Sequence, residues 1–295
     1  MSSADGKQIR RVVILGHSGF IGTHLMEAFA VAGVEIRGLS FPEVDLTQAD
    51  CRPQLLDVFD DGAAVVLCSA IKRQFGDTIE SFSQNTAIIE NVAAAVADRP
   101  VARVAFMSSA AVYGEETHNL SISERTPVNP TSYYGIAKFT GECLLRKTFS
   151  RVGAPSLVCF RPPLIYGPGD LGRTYGPSGF SAAVAEGKPI TLWGDGTELR
   201  EFLFVKDACA MIRSLTLSRF EGAVNLVSGM SHSFVDVITS LRRASSKEIV
   251  AHRQERTKKK ADNAFDAGLV RSLLPADFAY TPLDQGVSLT LNSFT

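Results

Sequence analysis

Residues 12–33 read Val12-Val13-Ile14-Leu15-Gly16-His17-Ser18-Gly19-Phe20-Ile21-Gly22, then a helical pattern from Thr23 to Ala32, then Gly33. Four apolar residues in a row suit a strand buried on both faces, and Leu25, Phe29 and Ala32 recur behind it at helical spacing. Glycines 16, 19 and 22 therefore occupy a turn from strand into helix. At such a turn the first glycine permits the bend, the second lets backbone approach a pyrophosphate, and the third lets helix and strand pack closely. Free N–H groups at the helix start attract the anion. The spacing Gly-x-x-Gly-x-x-Gly is one residue longer than the usual dinucleotide fingerprint, and glycines also serve plain strand-to-helix turns. On the dinucleotide reading, Gly16, Ser18, Gly19, Phe20, Ile21 and Gly22 form the phosphate cradle.

The chain has 295 residues, 45% of them hydrophobic, which is enough for one large α/β domain or two lobes. A formal net charge of -1 with scattered basic residues leaves no nucleic-acid footprint. The one basic cluster, Arg253 to Lys260, reads as a solvated loop or helix face. The five cysteines (51, 68, 143, 159, 209) show no paired spacing and read as reduced, buried thiols, neither disulfide-bonded nor metal-binding. Met1 to Arg11 is polar, without an apolar signal region, and no run approaches the roughly 18 apolar residues of a membrane span. A soluble, cytoplasmic protein is expected.

Val34 to Leu39 reads as the second strand. A dinucleotide site puts the adenosine ribose at its end, where an Asp or Glu would bind the 2′-hydroxyl and favour NAD. Here Ser40 stands there, with no acid until Glu43. An uncharged residue does not repel a 2′-phosphate, which tilts the choice between NAD and NADP towards NADP, with Arg37 as a weak candidate for holding the phosphate. Asp45-Leu46 follows closely, and Asp45 is placed either to reach the adenine amino group or to cap a helix starting near Gln48. Ala63 to Cys68 reads as the third strand, ending in Ser69-Ala70 on the cofactor side. Asn85 then lies in the first turn of a helix from Phe82 to Ala97, either facing the cofactor or capping locally. Val101 to Met107 is the fourth strand and runs into Ser108-Ser109-Ala110-Ala111-Val112-Tyr113-Gly114. Ligands of open α/β sheets bind at the C-terminal ends of strands, so these serines are placed for chemistry.

Ser132-Tyr133-Tyr134-Gly135-Ile136-Ala137-Lys138 opens the next helix, which runs past Arg146. Tyr134 and Lys138 are four apart and share a face. A phenol with a pKa near 10 is a poor base at neutral pH, whereas an adjacent ammonium favours the phenolate. Tyr134 can then exchange a proton with a hydroxyl or ketone while a nicotinamide exchanges hydride. Tyr-x-x-x-Lys is also an ordinary amphipathic pair. Tyr133 has no lysine four residues on.

The glycine turn, the serines after the fourth strand and Tyr134-x-x-x-Lys138 together resemble the short-chain dehydrogenase/reductase superfamily, in its extended branch of nucleotide-sugar epimerases, reductases and dehydratases. The likeness covers most of the chain. It implies a Rossmann-like, doubly wound parallel α/β sheet over residues 1–170, completed by about 200–230, with a smaller C-terminal substrate lobe over most of 171–295 and substrate between the lobes. It also implies a homodimer. Ser109, four residues before the Val-Tyr-Gly tyrosine, takes the branch's catalytic Ser/Thr role, with Ser108 on the cofactor side. Arg161-Pro162-Pro163-Leu164-Ile165-Tyr166-Gly167-Pro168 resembles the segment that closes over the nicotinamide, which assigns Pro162 to the cofactor. The Gly/Pro-rich piece to Gly179 reads as a hinge or substrate loop. Arg200-Glu201-Phe202-Leu203-Phe204-Val205-Lys206-Asp207 resembles the family's Arg-Asp-Phe-Ile-His-Val-x-Asp, whose Arg pairs with the substrate diphosphate, although Arg200 also suits a surface salt bridge. From Ser231 the chain reads as mixed helix and loop, with residues 262–266 where the branch often has substrate-lobe residues.

Departures from the family refine the expectation. Dehydratases of the branch carry an Asp-Glu pair just after the Ser/Thr, and bifunctional 3,5-epimerase/reductases carry a Cys there; this chain has Ala110-Ala111. The resemblance then implies an NAD(P)-dependent 4-epimerase or 4-ketoreductase acting on a nucleotide sugar. Reduction of a non-sugar ketone is the alternative, followed by a non-catalytic, cofactor-sensing regulator.

Overall fold

The computed structural model describes residues 8–114, 118–151, 154–171, 176–256 and 259–294. They form two compact units: one from the described residues up to Val112 with Val128–Arg161 and Cys209–Val224, the other from the remainder.

The first unit is built on strands β1 (Arg11–Leu15), β2 (Glu35–Leu39), β3 (Ala63–Leu67), β4 (Arg103–Met107), β5 (Ser156–Arg161) and β6 (Gly222–Asn225). They make one six-stranded sheet in the order β6-β5-β4-β3-β1-β2, parallel between β2 and β5. The order turns back between β2 and β3, so the sheet is doubly wound as the resemblance implies and has its switch point beside β1, where such sheets bind ligands. β1 from Val12 on, all of β3 and nearly all of β4 are wholly buried, which is why these strands read as continuous apolar runs. Helices α1 (Phe20–Ala30), α2 (Arg52–Val58), α3 (Ile79–Asp98) and α4 (Tyr133–Thr148) connect them. Leu25 and Phe29 of α1 are fully enclosed, each worth about 1.5–3 kcal/mol of burial.

Helix α3 is longer than expected. A capping box, Thr78 with Ser81, starts it at Ile79, so Asn85 stands in its second turn and not its first. Only a short 3₁₀ turn, Ala49–Cys51, forms near Gln48 before α2, and Gln48 gives no side-chain cap. Register lines up Leu15 with Leu39 and Leu67, and Leu67 with Phe106. The residues that follow these positions, Gly16, Ser40, Cys68-Ser69 and Ser108-Ser109, therefore share one edge of the sheet.

The second unit has a core of Tyr166, Phe180, Ile190, Phe202, Phe204, Leu241 and Val287. Strand Leu199–Phe204 lies between Leu164–Tyr166 and Ser231–Ser233. The reading of mixed helix and loop beyond Ser231 is corrected here: Ser231–Ser233, Ala251–Gln254 and Asn263–Phe265 are strands, the last pairing with Asn119–Ile122. Three or four residues pairing with distant segments leave no periodicity to detect. Part of the basic cluster is thus a strand, and Arg256 within it pairs with Asp195 and Glu198. Residues 257–258 of that cluster, and 172–175 of the expected hinge loop, lie outside the described residues. The cysteines are free thiols, but Cys143 is exposed, contrary to the buried reading.

Helices α3 and α4 meet through Gly141, where an added Cβ would lie 2.6 Å from Ile89 and 2.8 Å from Phe106. Gly141→Val should lower stability by about 1–3 kcal/mol, the usual range for overpacking, measured by urea denaturation. An unchanged midpoint would show that the two helices do not need this close approach.

Candidate active site

Gly16 has φ of +93°, which favours glycine, and its N–H donates to the Leu39 carbonyl at 2.7 Å. A Cβ on Gly22 would lie 2.0 Å from the Gly16 carbonyl oxygen, so only glycine lets α1 start this close to β1. The N-cap of α1 is Gly19, with no side-chain acceptor, and the first N–H groups of the helix are left for an anion. Ser18 and Gly19 are exposed; Phe20 and Ile21 are half-buried. Lys72 Nζ stands 5.6 Å from the centre of the Phe20 ring.

Ser40 is buried at the end of β2, and its hydroxyl takes the Ser18 N–H at 3.0 Å and lies 2.9 Å from His17 Nδ1. Arg37 is exposed and bound to Glu35 at 2.8 Å. Side chains alternate along a strand, so Arg37 leaves β2 on the face opposite Gly38 and Ser40. Asp45 accepts from the Thr47 N–H and hydroxyl, at 2.9 and 2.7 Å, and caps its own turn. Leu46 is buried in the core. Ser69 and Ala70 lie half-buried after β3, and a Cβ on Gly16 would meet Ser69 at 2.8 Å. Asn85 uses both ends of its amide on Ile71, accepting its N–H at 2.9 Å and donating to its carbonyl at 3.1 Å. The side chain pins the loop after β3.

Helix α4 is capped by Ser132, whose hydroxyl accepts the Gly135 N–H. Lys138, one turn after Tyr134, is buried; its Nζ donates to the Met107 carbonyl at 2.7 Å and lies 5.1 Å and 5.6 Å from the ring centres of Phe106 and Tyr134. Burial pulls its pKa down to about 8, against a small opposing effect of Cys68. Met107 ends β4, so the lysine sits at the same sheet edge as the glycine turn. The two serines after β4 differ. Ser109 is half-buried and accepts the Ala111 N–H at 3.1 Å, which leaves its own proton to donate. Ser108 is buried and donates to Glu142 at 2.6 Å.

Sequence reading missed Glu142. It lies fully buried on α4 and receives Arg161 from the end of β5 through two contacts, at 2.8 and 2.6 Å. Its place four residues after Lys138 was the available signal, and charge at a helical spacing more often marks a solvated face. Pro162 follows Arg161 and is buried. In the second unit, the Arg200 guanidinium donates to the carbonyls of Leu199 and Ala261 and to Glu198, which also binds Arg256. Asp262 is engaged too, accepting the Leu199 N–H at 2.9 Å.

The profile of the NAD dependent epimerase/dehydratase family matches residues 12–227. The chain belongs to this family. It is 30% identical to the N-acetyl-alpha-D-glucosaminyl-diphospho-ditrans,octacis-undecaprenol 4-epimerase of Escherichia coli O157:H7, over 68% of this chain and 62% of that enzyme. It is 30% identical to a dTDP-4-dehydro-6-deoxy-D-allose reductase of a Streptomyces species, over 74% and 76%. In structure it resembles TunA, an NAD-dependent NDP-hexosamine 5,6-dehydratase, with a TM-score of 0.84 and 25% identity, covering 97% of each chain. These relatives span epimerisation, reduction and dehydration, so family membership alone leaves the reaction open. The glycine cradle and the uncapped start of α1 fit a dinucleotide. Among the described residues no helix is long and apolar enough to cross a membrane.

Lys138 binds its proton less tightly when folded, so between about pH 8 and the ordinary 10.5 its own contribution to folding stability rises with pH. In Lys138→Met this rise should be missing; parallel urea profiles for the two proteins would show that the lysine is not desolvated. Glu142→Ala should cost about 3–5 kcal/mol, because it removes the carboxylate that faces the buried Arg161 charge. A loss below about 1 kcal/mol, typical of exposed pairs, would contradict that burial.

Proposed function

We propose that the chain catalyses oxidoreduction at a carbinol carbon of a nucleotide sugar, C4 by preference, as a 4-epimerase or 4-ketoreductase. The observation that carries this reading is the set at the end of β4: the buried Lys138 beside Tyr134, and Ser109 with its hydroxyl proton uncommitted, followed by Ala110-Ala111. Tyr134 takes the proton of the reacting hydroxyl, or returns it to the ketone. Lys138 places a positive charge next to that phenol, which favours the phenolate. Ser109 donates a hydrogen bond to the reacting oxygen and holds it towards Tyr134. The nicotinamide cofactor, which Gly16, Ser18, Gly19, Phe20, Ile21, Gly22, Ser40 and the loops after β3 and β4 would hold, supplies hydride exchange when bound. Ala110 and Ala111 carry no acid or base, and elimination of water needs both. Dehydration is therefore not part of the proposal, although a dehydratase is among the relatives.

A second reading, reduction of a ketone without a diphosphate, has one observation in its favour. Arg200 is already satisfied by Glu198 and two carbonyls, and a substrate diphosphate would have to displace that carboxylate.

A thermal-shift screen of UDP-, dTDP-, GDP- and CDP-sugars with each cofactor tests the substrate class. Nucleotide measured in the supernatant of denatured protein separates an epimerase, which keeps its cofactor, from a reductase, which releases it. On the substrate so identified, Tyr134→Phe should lower kcat by about 10²–10⁴, the usual worth of a positioned acid/base. Unchanged turnover would remove Tyr134 from the mechanism.

A further inference from the structure

His17 has no role in the reading above, yet the fold makes room for it. A Cβ on Gly38 would fall 2.4 Å from His17 Cγ and 2.7 Å from Cδ2, so the imidazole lies against the backbone of β2 in a slot that exists because residue 38 lacks a side chain. On the same face, Ser40 holds the ring through Nδ1 at 2.9 Å while accepting the Ser18 N–H at 3.0 Å. With the Ser40 hydroxyl donating to Nδ1, the ring proton is on Nε2. Nε2 makes no hydrogen bond with the described residues, and the ring is only half-buried. A donor is thus fixed beside the end of the second strand, the place where a dinucleotide on the glycine turn presents its adenosine ribose. No carboxylate stands directly at the end of β2: position 40 is a serine, Glu43 comes three residues later and is exposed, and Asp45 accepts from Thr47. Arg37 lies on the other face of β2.

We infer that His17, held in place by Ser40, is the residue that selects the cofactor, its Nε2–H donating to the 2′-phosphate of an NADP-type adenosine ribose. A free 2′-hydroxyl offers that donor a neutral partner and finds no carboxylate at position 40. A phosphate offers it a charged one, and hydrogen bonds to charged partners are about twice as strong. The inference rests on residues 16–22 being a dinucleotide site and deepens that reading.

The test is calorimetric titration of the full chain with 2′,5′-ADP, 5′-AMP and 5′-ADP, the last carrying two phosphates but none at the 2′ position. Wild type should bind 2′,5′-ADP about tenfold more tightly than either comparison nucleotide, as expected for one charge-assisted contact. His17→Phe keeps a ring over Gly38 and removes both nitrogens. It should bring the three affinities to within about twofold, with 5′-AMP binding unchanged. His17→Ala, checked by thermal unfolding for an intact fold, should do the same. Equal affinities in wild type, or a preference that survives His17→Phe, would overturn the role of His17 while leaving the dinucleotide site standing. Failure to bind any of the three would overturn both.

Discussion

The Lys138 ammonium sits where water does not reach, with one backbone carbonyl as its acceptor and two aromatic faces beside it. Removing an ammonium from water costs several kcal/mol even after relaxation. The Met107 bond and the faces of Phe106 and Tyr134 recover a part, and the remainder appears as a weakened hold on the proton. The arrangement survives because α4 is docked against β4 by contacts that have nothing to do with charge: Gly141 seated on Phe106 and Ile89, Leu145 in the core, and Ser132 closing the first turn. Once the helix is there, one turn of α-helix fixes Tyr134 relative to the lysine. The geometry of the proposed acid/base pair is a consequence of helix docking.

The glycine corner follows the same logic with backbone in place of side chains. The approach of Gly22 to the Gly16 carbonyl brings the start of α1 to the end of β1, and three contacts tie the turn to β2: Gly16 N–H to Leu39, Ser18 N–H to Ser40, and His17 to Ser40. A loop so tied does not have to be ordered when an anion arrives, so less of the binding free energy is lost to ordering.

Much of this was legible in the sequence, and the exceptions share a cause. Val12–Leu15 and Ala63–Leu67 are buried on both faces and announce themselves as unbroken apolar runs. Gly16, Gly22, Tyr134 and Lys138 stand at spacings that only a strand-to-helix turn and a helix explain well. What could not be read were pairings between residues far apart in the chain. Asn85 looked equally suited to a cofactor or a cap, and its partner proved to be Ile71; the resemblance put Ser109 ahead of Ser108, but nothing local signalled that Ser108 binds Glu142. Arg200 has the chemistry of a phosphate ligand, and nothing local signals that Glu198 and the Ala261 carbonyl already occupy it. Likewise the strand Asn263–Phe265 exists through its partner at Asn119–Ile122, so no window of sequence contains it.

Glu142 shows why such a hidden pairing matters to the chemistry. It lies one helical turn beyond Lys138, fully buried, and an uncommitted carboxylate there would be the natural counter-ion of the lysine. Arg161 meets it through two contacts and Ser108 through a third, so its charge is neutralised by partners that hold it against the ends of β4 and β5. Among the described residues no carboxylate pairs with Lys138. The ammonium stands 5.6 Å from the centre of the Tyr134 ring, the group on which the proposed mechanism asks it to act. The same network fixes Ser108, and with it the backbone from which Ser109 projects. One buried ion pair thus serves two ends: it engages the carboxylate nearest the lysine along the helix, and it holds the neighbouring serine at the sheet edge where the glycine corner lies.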